Sequence, residues 1–169
     1  MSIPMQSLLS KHGIDFEVLE HQHAATALST AAAAHIPSAQ LAKAVVLGNS
    51  LEQKIMAVIP ANKQLLLSAV NNFTYSDYHL LQEDEFSDVF NDCEAGAVPS
   101  VGREYGMEMI IDMDLMDGSD IYLETGDHRH LLKVSLQDYQ GLVMSSRHAT
   151  ISNTAMLNAK NMPVCAVFA

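Results

Sequence analysis

The sequence predicts a single α/β (α+β) domain in which helices flank a mixed β-sheet. Strand-like and helix-like segments alternate along the chain, which is the pattern of helices packed on a sheet. Two neighbouring apolar runs separated by a short polar turn predict a hairpin, and therefore some antiparallel pairing. An apolar fraction of 49% with 17% charged residues indicates a folded chain, and 169 residues suit one domain.

Each predicted element is bounded by residues that break its pattern. Gly13 ends a first helix, and Pro37 ends an alanine-rich second helix. Runs rich in Val and Ile, apolar on both faces, predict buried strands. The predicted helices cover residues 6–12, 26–35, 64–71, 84–90 and 136–144. The predicted strands cover residues 14–19, 41–47, 54–59, 109–113, 121–124 and 131–134.

The end of the chain has no clear period. Residues 151–169 mix small, apolar and polar side chains, so we expect a C-terminal helix with a tail, or a poorly ordered segment. We therefore assign residues 1–148 to the domain and residues 149–169 to a C-terminal extension.

Charge and composition argue against several classes of protein. The net charge is −11 and the nine Lys and Arg residues form no cluster, which argues against a DNA-binding stripe. The same charge still permits binding of one nucleotide at the end of a strand. No apolar run approaches the ~20 residues of a membrane span, and no basic leader is seen. Two cysteines make no disulfide framework, so a cytoplasmic location is expected.

Lys43 lies inside the apolar strand predicted over residues 41–47. Alternation places it on the same face as Leu41 and Val45, and both faces of this strand are apolar. A buried ammonium needs water, a carboxylate or a ligand. The side chain either packs its stem and reaches the sheet edge, or binds a polar ligand in a cleft with a lowered pKa.

A loop over residues 92–102 is punctuated by Gly96, Pro99 and Gly102. Glycine permits close approach of the backbone to a ligand, and proline restricts the turn. The loop therefore either binds a carbonyl or hydroxyl group through its N–H groups, or simply connects a helix to a strand.

Histidines occur in two His-x-His pairs, His21/His23 and His128/His130. Such pairs share a face in a strand and could ligate a metal. The cysteines are not spaced as further ligands, so surface or hydrogen-bonding roles are more usual, and we expect no metal and no cofactor.

Other candidate chemistry is sparse. Asp112, Asp114 and Glu124 could form an acid–base pair, but no pattern brings them together, and Asp114 is expected to cap a helix. The sequence contains no nucleophile elbow, Walker A loop or dinucleotide fingerprint.

Several segments, in order, resemble the YbaK/prolyl-tRNA synthetase editing-domain family. The resemblance covers about residues 10–145. Within the family, the chain most resembles the deacylase domain found fused to HDOD domains. The segments are HAA at 23–25, the alanine-rich helix, LAKAVVL at 41–47, MAVIPA at 56–61, DCEAGAVP at 92–99, DMDL at 112–115 and GDH at 126–128.

This resemblance implies a compact α/β fold with a mixed, barrel-like sheet, and metal-independent hydrolysis of mischarged aminoacyl-tRNA that carries a small amino acid. The implied partners are the 3′ acceptor end of aminoacyl-tRNA and an aminoacyl-tRNA synthetase. The implied catalytic residues are Lys43, Gly96 and His130. The implied substrate-binding residues are Ala95, Ala97, Val98, Pro99, Gly126 and His128.

One position departs from the family pattern. The loop motif usually begins with glycine four residues before the proline, and here that position is Ala95, with Gly96 as its neighbour. Two hypotheses follow: an enzyme in which Lys43 anchors the nucleotide and the loop N–H groups of residues 96–98 serve the carbonyl, or a catalytically inactive module. The inactive module would bind an aminoacyl-adenosine-like ligand or a protein partner. A metal-dependent hydrolase that uses the His-x-His pairs is a third hypothesis.

Overall fold

The computed structural model describes residues 5–154. Three 3₁₀ turns, at Ser38–Gln40, Gly102–Tyr105 and Met113–Met116, lie between the longer elements. The helices are α1 Met5–Lys11, α2 Ala27–Ala33, α3 Leu67–Thr74, α4 Glu83–Phe86 and α5 Leu136–Leu142. The strands are β1 Phe16–Glu20, β2 Ala42–Gly48, β3 Lys54–Pro60, β4 Lys63–Leu65, β5 His79–Leu80, β6 Glu108–Asp112, β7 Asp120–Glu124, β8 His130–Ser135, β9 Arg147–Ala149 and β10 Ser152–Thr154.

The largest sheet has five strands in the order β5-β2-β3-β6-β9. The predicted hairpin forms, with β2 and β3 antiparallel and Ala42 opposite Pro60. β3 pairs with β6 in parallel, and β6 pairs with β9 in parallel. The sheet is therefore mixed, as the sequence predicts.

A second sheet, β1-β8-β7, is antiparallel and packs against the first. Met56 and Ile111 from the large sheet share one apolar cluster with Ile121 and Leu132 from the smaller one. On the other side of the large sheet, a second cluster contains residues such as Ile59. Both faces of β2 and β3 are thus covered, which explains why their sequences are apolar throughout.

The α/β class is confirmed, but the barrel expected from the resemblance does not close within residues 5–154. β5 and β9 end the five-stranded sheet. Among the described residues, its backbone pairing with the smaller sheet is limited to one isolated bridge, between Leu41 and Tyr122. The two sheets pack face to face through side chains instead of continuing one hydrogen-bonded ladder.

Several predicted elements differ in extent from the observed ones. The helix predicted over residues 64–71 starts only at α3, because β4 pairs with β10. The helix predicted over residues 84–90 ends at Phe86. Within the segment predicted as a helix or poorly ordered tail, Ile151 is fully buried and β10 follows it. Residues 155–169 lie outside the described part, and the boundary at 148/149 stays a prediction.

α2 begins with a reciprocal cap. The Thr26 hydroxyl accepts a hydrogen bond from Ser29 N at 3.1 Å, while Thr26 N donates to the Ser29 hydroxyl at 3.0 Å. This arrangement satisfies two amides that the first helical turn leaves unpaired. Across residues 5–154, no helix combines the length and apolarity needed to cross a bilayer.

Candidate functional site

Three loops that are distant in sequence meet at one end of the β1-β8-β7 sheet. His21 N donates to Arg129 O at 2.8 Å, and Ala24 N donates to His128 O at 3.3 Å. Glu94 N donates to Gly126 O at 2.7 Å. The segments 21–26, 94–99 and 125–130, each of which supplied a predicted site residue or a histidine pair, therefore form one cluster.

His128 lies at the centre of this cluster. It is 4% exposed and has φ 55°, a left-handed conformation that is costly for a residue other than glycine. Its Nε2 donates to Ala95 O at 2.5 Å. The His23 ring packs edge-on against it with centroids 5.2 Å apart, and His23 Nε2 lies 3.2 Å from Glu94 Oε2.

The bond from His128 orients the loop that follows. A peptide unit is planar and trans, so Ala95 O and Gly96 N point in opposite directions. Because Ala95 O is held by His128, Gly96 N–H points away from it. Gly96 has φ 81°, a conformation that suits glycine.

A cavity of about 220 Å³ lies beside this loop. Small side chains keep it open, since alanines at three positions and one glycine contribute to its wall. Glu83, at the first turn of α4, is the single ionisable side chain among the described residues that line it. The lining consists of Ala25, Ala44, Val45, Val46, Leu80, Leu81, Glu83, Phe86, Ala95, Gly96 and Val98.

The N–H groups of this loop are not equivalent. Ala97 N donates to Glu94 O at 3.0 Å and is therefore engaged in a turn. Within residues 5–154, Gly96 N and Val98 N donate to no protein group. Two of the three amides expected to serve a ligand carbonyl are thus available. Pro99, at the end of the loop, is buried.

His130 is held by Asp127 and is not among the described residues that line the cavity. Asp127 Oδ1 accepts from the backbone N–H groups of Arg129 and His130, each at 2.9 Å, and Oδ2 accepts from His130 Nδ1 at 2.6 Å. Burial raises the pKa of Asp127, but these hydrogen bonds and one from Thr125 outweigh it and hold the pKa at about 2. The carboxylate accepts from Nδ1 and so sets the His130 tautomer, which leaves Nε2 outside this hydrogen bond.

Lys43 is placed differently from the other predicted site residues. Its Nζ donates to Lys63 O at 2.9 Å, and burial lowers its pKa. Lys63 in turn forms an ion pair with Asp114. Ala44, Val45 and Val46 of β2 line the cavity, whereas Lys43 is absent from the described lining. Its role as nucleotide anchor stays a prediction.

The capping role expected of Asp114 belongs to Asp112, the last residue of β6. Asp112 Oδ1, not Asp114, caps the following 3₁₀ turn by accepting from Asp114 N at 2.8 Å. Asp112 Oδ2 also accepts from Ile151 N at 2.9 Å. The prediction that Asp114 caps a helix is therefore wrong, because its carboxylate instead neutralises Lys63.

Two further carboxyl groups are notable: Glu83, which was not considered from the sequence, and Glu124, which was considered only as a member of an acid–base pair. Glu83 lies in the first turn of α4 with two other acidic residues, a pattern that is typical of solvent-exposed surface. Glu124 ends β7 with 7% exposure, and its Oε2 has no hydrogen-bond partner in the described part of the chain. Burial, with a smaller contribution from Asp127, raises the pKa of Glu124 to about 8. A carboxylate within an otherwise apolar strand was the signal that could have indicated Glu124.

The His-x-His pairs lie together but do not form a recognisable metal centre. Across residues 5–154, no three His, Cys, Asp or Glu side chains are grouped so that they could hold a metal ion. His23 and His128 are in ring contact, and each has a partner in the loop. One histidine of each pair therefore supports the loop geometry.

Solved structures share this fold. Hypothetical protein APE2540 is 17% identical with a TM-score of 0.79, covering 89% of this chain and 99% of that one. A candidate trans-editing enzyme for prolyl tRNA synthetase is 18% identical with a TM-score of 0.76, covering 89% of this chain and 95% of that one.

A longer protein also contains the fold. A candidate signal transduction protein from Marinobacter aquaeolei VT8 is 16% identical with a TM-score of 0.73 over 90% of this chain, which spans 31% of that protein. At such identities the likeness shows the fold alone. No curated protein matches the sequence.

A sequence family does match. The family described as the aminoacyl-tRNA editing domain covers residues 21–142, more than half of the 169 residues. This match spans all three converging loops and the cavity. The chain belongs to the aminoacyl-tRNA editing domain family, as its resemblance to YbaK-type domains led us to expect.

Proposed function

We propose that the protein hydrolyses the ester bond of mischarged aminoacyl-tRNA that carries a small amino acid. The observation that carries the proposal is the cavity beside the Gly96 loop, with two unengaged amides at an alanine-lined wall. Family membership and the fold shared with a candidate trans-editing enzyme support the reaction class.

The size of the cavity supports a small amino acid. Ligand sites usually span about 300–1,000 Å³, whereas this cavity has about 220 Å³. The volume suits an aminoacyl group better than a larger ligand, and Ala44 and Gly96 add little side-chain bulk to the wall. Since one methylene in an apolar pocket is worth about 1–3 kcal/mol, discrimination between close analogues is modest.

The unengaged amides support stabilisation of the oxyanion. Water that attacks the ester carbonyl creates negative charge on the carbonyl oxygen, and each preorganised donor contributes about 3–4 kcal/mol in the transition state. Gly96 N and Val98 N are the candidate donors, because Ala97 N is engaged in the turn. The ester is an activated bond, so positioned water and these donors suffice, and no step of this mechanism needs a metal.

Glu83 supplies the charge that an aminoacyl group requires. The α-ammonium of the amino acid is positive, and Glu83 is the single ionisable side chain among the described residues of the lining. A charge-assisted hydrogen bond of this kind is worth about 1.5–3 kcal/mol. His130 Nε2 and Lys43 are then left to contact the terminal adenosine, with Lys43 as the nucleotide anchor. The partners are aminoacyl-tRNA and an aminoacyl-tRNA synthetase, in the cytoplasm.

The test is a deacylation panel with tRNAs charged with alanine, serine, cysteine, threonine and proline, with and without a chelator. We expect hydrolysis of one or two species, indifferent to chelator and lost in Lys43→Ala. Ala44→Leu fills the cavity and should lower the rate at least about 100-fold. Ala32→Leu adds the same side chain at an exposed position of α2 and should not change it.

A second arm tests Glu83. Glu83→Gln should lower kcat/KM about 10-fold or more on substrates with a free amine, and have little effect when the α-amine is acetylated. Equal effects on both substrates would contradict recognition of the ammonium. Hydrolysis that the chelator abolishes would refute metal independence.

A binding module without turnover is the second candidate function. Ala95 occupies the position where the family motif has glycine, and its carbonyl is tied to His128. Such a module would bind an aminoacyl-adenosine analogue or a protein partner in regulation. Binding of the analogue by folded protein, with none of the five tRNAs hydrolysed, would establish this function and contradict the first.

A further inference from the structure

A larger cleft, of about 670 Å³, lies away from the editing cavity. It is formed where β9 begins, opposite the 3₁₀ turn at Gly102–Tyr105. The editing cavity involves β2 and β5, whereas this cleft involves β6 and β9 at the other edge of the same sheet. Its lining residues are Arg103, Gly106, Met107, Glu108, Met109, Ser145, Ser146 and Arg147.

The cleft concentrates positive charge on an acidic chain. Arg103 and Arg147 are two of the three arginines in a sequence whose net charge is −11. Arg103 also lines an adjoining cleft of about 300 Å³, to which Lys11 and His12 contribute. Two carboxylates also line the clefts, Glu104 in the adjoining cleft and Glu108 in this one. Three permanent cations therefore face two anions.

The Arg147 guanidinium makes only weak interactions with other described side chains. Its guanidinium lies 5.7 Å from the centre of the Phe73 ring and 3.5 Å from Glu108 Oε2. The Glu108 side chain is 79% exposed, and an exposed ion pair contributes little to stability. A better acceptor, one that bonds the guanidinium through two oxygens, can therefore displace it.

Ser146 supplies an unsatisfied hydroxyl beside these cations. Its Oγ is buried and has no hydrogen-bond partner among residues 5–154. Buried hydroxyls are normally paired, so Ser146 keeps a donor without an internal acceptor in the described chain, at the cleft that it lines. Guanidinium groups together with a hydroxyl donor are the set that recognises phosphate oxygens.

We propose that this cleft binds a backbone phosphate of the RNA whose 3′ end enters the editing cavity. The identity of that RNA rests on the proposed function. β2 and β9 are separated by three strand spacings, about 14 Å, which a few nucleotides of one strand can span. The cleft would give an acidic protein the phosphate contact that its sequence does not show as a basic cluster.

The experiment measures binding of uncharged tRNA over a series of salt concentrations. Arg103→Gln and Arg147→Gln should each weaken binding several-fold and reduce the slope of log K against log salt by about 1. Ser146→Ala, which breaks no hydrogen bond to a described residue, should weaken it less. Lys133→Gln is the matched control, since Lys133 forms a similar 3.5 Å ion pair with Asp120 and lines neither cleft.

Aminoacyl-adenosine hydrolysis provides a second readout. It should be unchanged in both arginine variants, while KM for aminoacyl-tRNA rises. Arginine variants that bind tRNA as Lys133→Gln does would overturn the proposal. So would variants that lose inorganic phosphate but keep wild-type tRNA affinity, because the cleft would then take only a small anion. Because binding uses uncharged tRNA, absence of hydrolysis would refute the proposed function without affecting this result.

Discussion

Glu124 places a carboxyl group in the apolar layer between α2 and the β1-β8-β7 sheet. It lies opposite Leu131 in the ladder, and alternation puts it on the same face as Tyr122. Tyr122 and Leu131 pack with Ala27 and Ala31 of α2. Burial in this layer raises the pKa of Glu124 to about 8, so the carboxyl is mostly neutral at pH 7.

Because the folded state favours the protonated form of Glu124, the protein should become less stable as pH rises. An unfolded glutamate has a pKa of 4.5, so the folded state binds more protons between 4.5 and about 8. The free energy of unfolding should fall through this window by up to about 1.4 kcal/mol per pH unit. Urea unfolding at pH 5, 6.5 and 8 measures the slope.

Glu124→Gln should flatten this slope, because glutamine mimics the neutral acid. Glu108→Gln is the control, since its side chain is 79% exposed and should leave the slope in place. The Asp127 carboxyl has the opposite effect, since its lowered pKa makes the folded state more stable as pH rises. Its contribution to stability is lost only in acid below about pH 4, outside this window. An equal slope in Glu124→Gln and wild type would contradict the assignment.

At the scale of elements, the loop over residues 94–99 depends on contacts with two other segments. Gly126 O accepts from Glu94 N at one end, and His128 holds the Ala95 carbonyl. Neither contact comes from a residue near the loop in sequence. The loop itself supplies Gly96, whose positive φ turns the chain towards the cavity.

Gly96→Ala should damage this loop. An L-residue in a left-handed conformation costs about 1–2 kcal/mol, and relief of that strain would rotate the Gly96 amide. We expect lower stability by that amount and a fall of about 100-fold in deacylation, measured by urea unfolding and single-turnover kinetics.

Gly141→Ala is the matched control for this change. Gly141 lies in α5, and an added Cβ would meet no atom within 4 Å. Alanine there should stabilise the helix by up to about 1 kcal/mol without any effect on activity. Full activity in Gly96→Ala would show that this amide takes no part in catalysis.

At the scale of the whole molecule, the last described strands complete the sheets. β9 extends the five-stranded sheet beyond β6, and β10 pairs with β4. Between them, Ile151 is fully buried in the cluster that also contains Val70 and Tyr78. This part of the chain therefore joins the core on the face of the large sheet that carries α3.

Ile151→Ala should destabilise the whole domain. Truncation of a fully buried isoleucine costs about 2–5 kcal/mol, so the denaturant midpoint should fall accordingly. Val18→Ala, at a position that is 44% exposed, should change stability by no more than about 0.5 kcal/mol. If both variants unfolded at the same denaturant concentration, the segment after β9 would lie outside the cooperative core.

Long elements with an internal pattern were predictable, and short ones were not. β2, β3 and α2 were predicted to within a residue or two because apolar runs, turn residues and a cap define them locally. β4, β5, β9 and β10 have two or three residues each, and they exist because a partner strand lies beside them. Such pairing depends on distant residues and leaves no local pattern.

The sequence by itself determined the α/β class, the central hairpin, the glycine–proline loop and the editing-domain family, because these depend on local periodicity, turn chemistry and ordered motifs. Only the tertiary structure decided that His128 holds Ala95, that Glu83 lines the cavity, and that Lys43 donates to Lys63 O. The physical reason is that hydrogen bonds and burial join residues far apart in the chain, and their geometry exists only once the sheets pack.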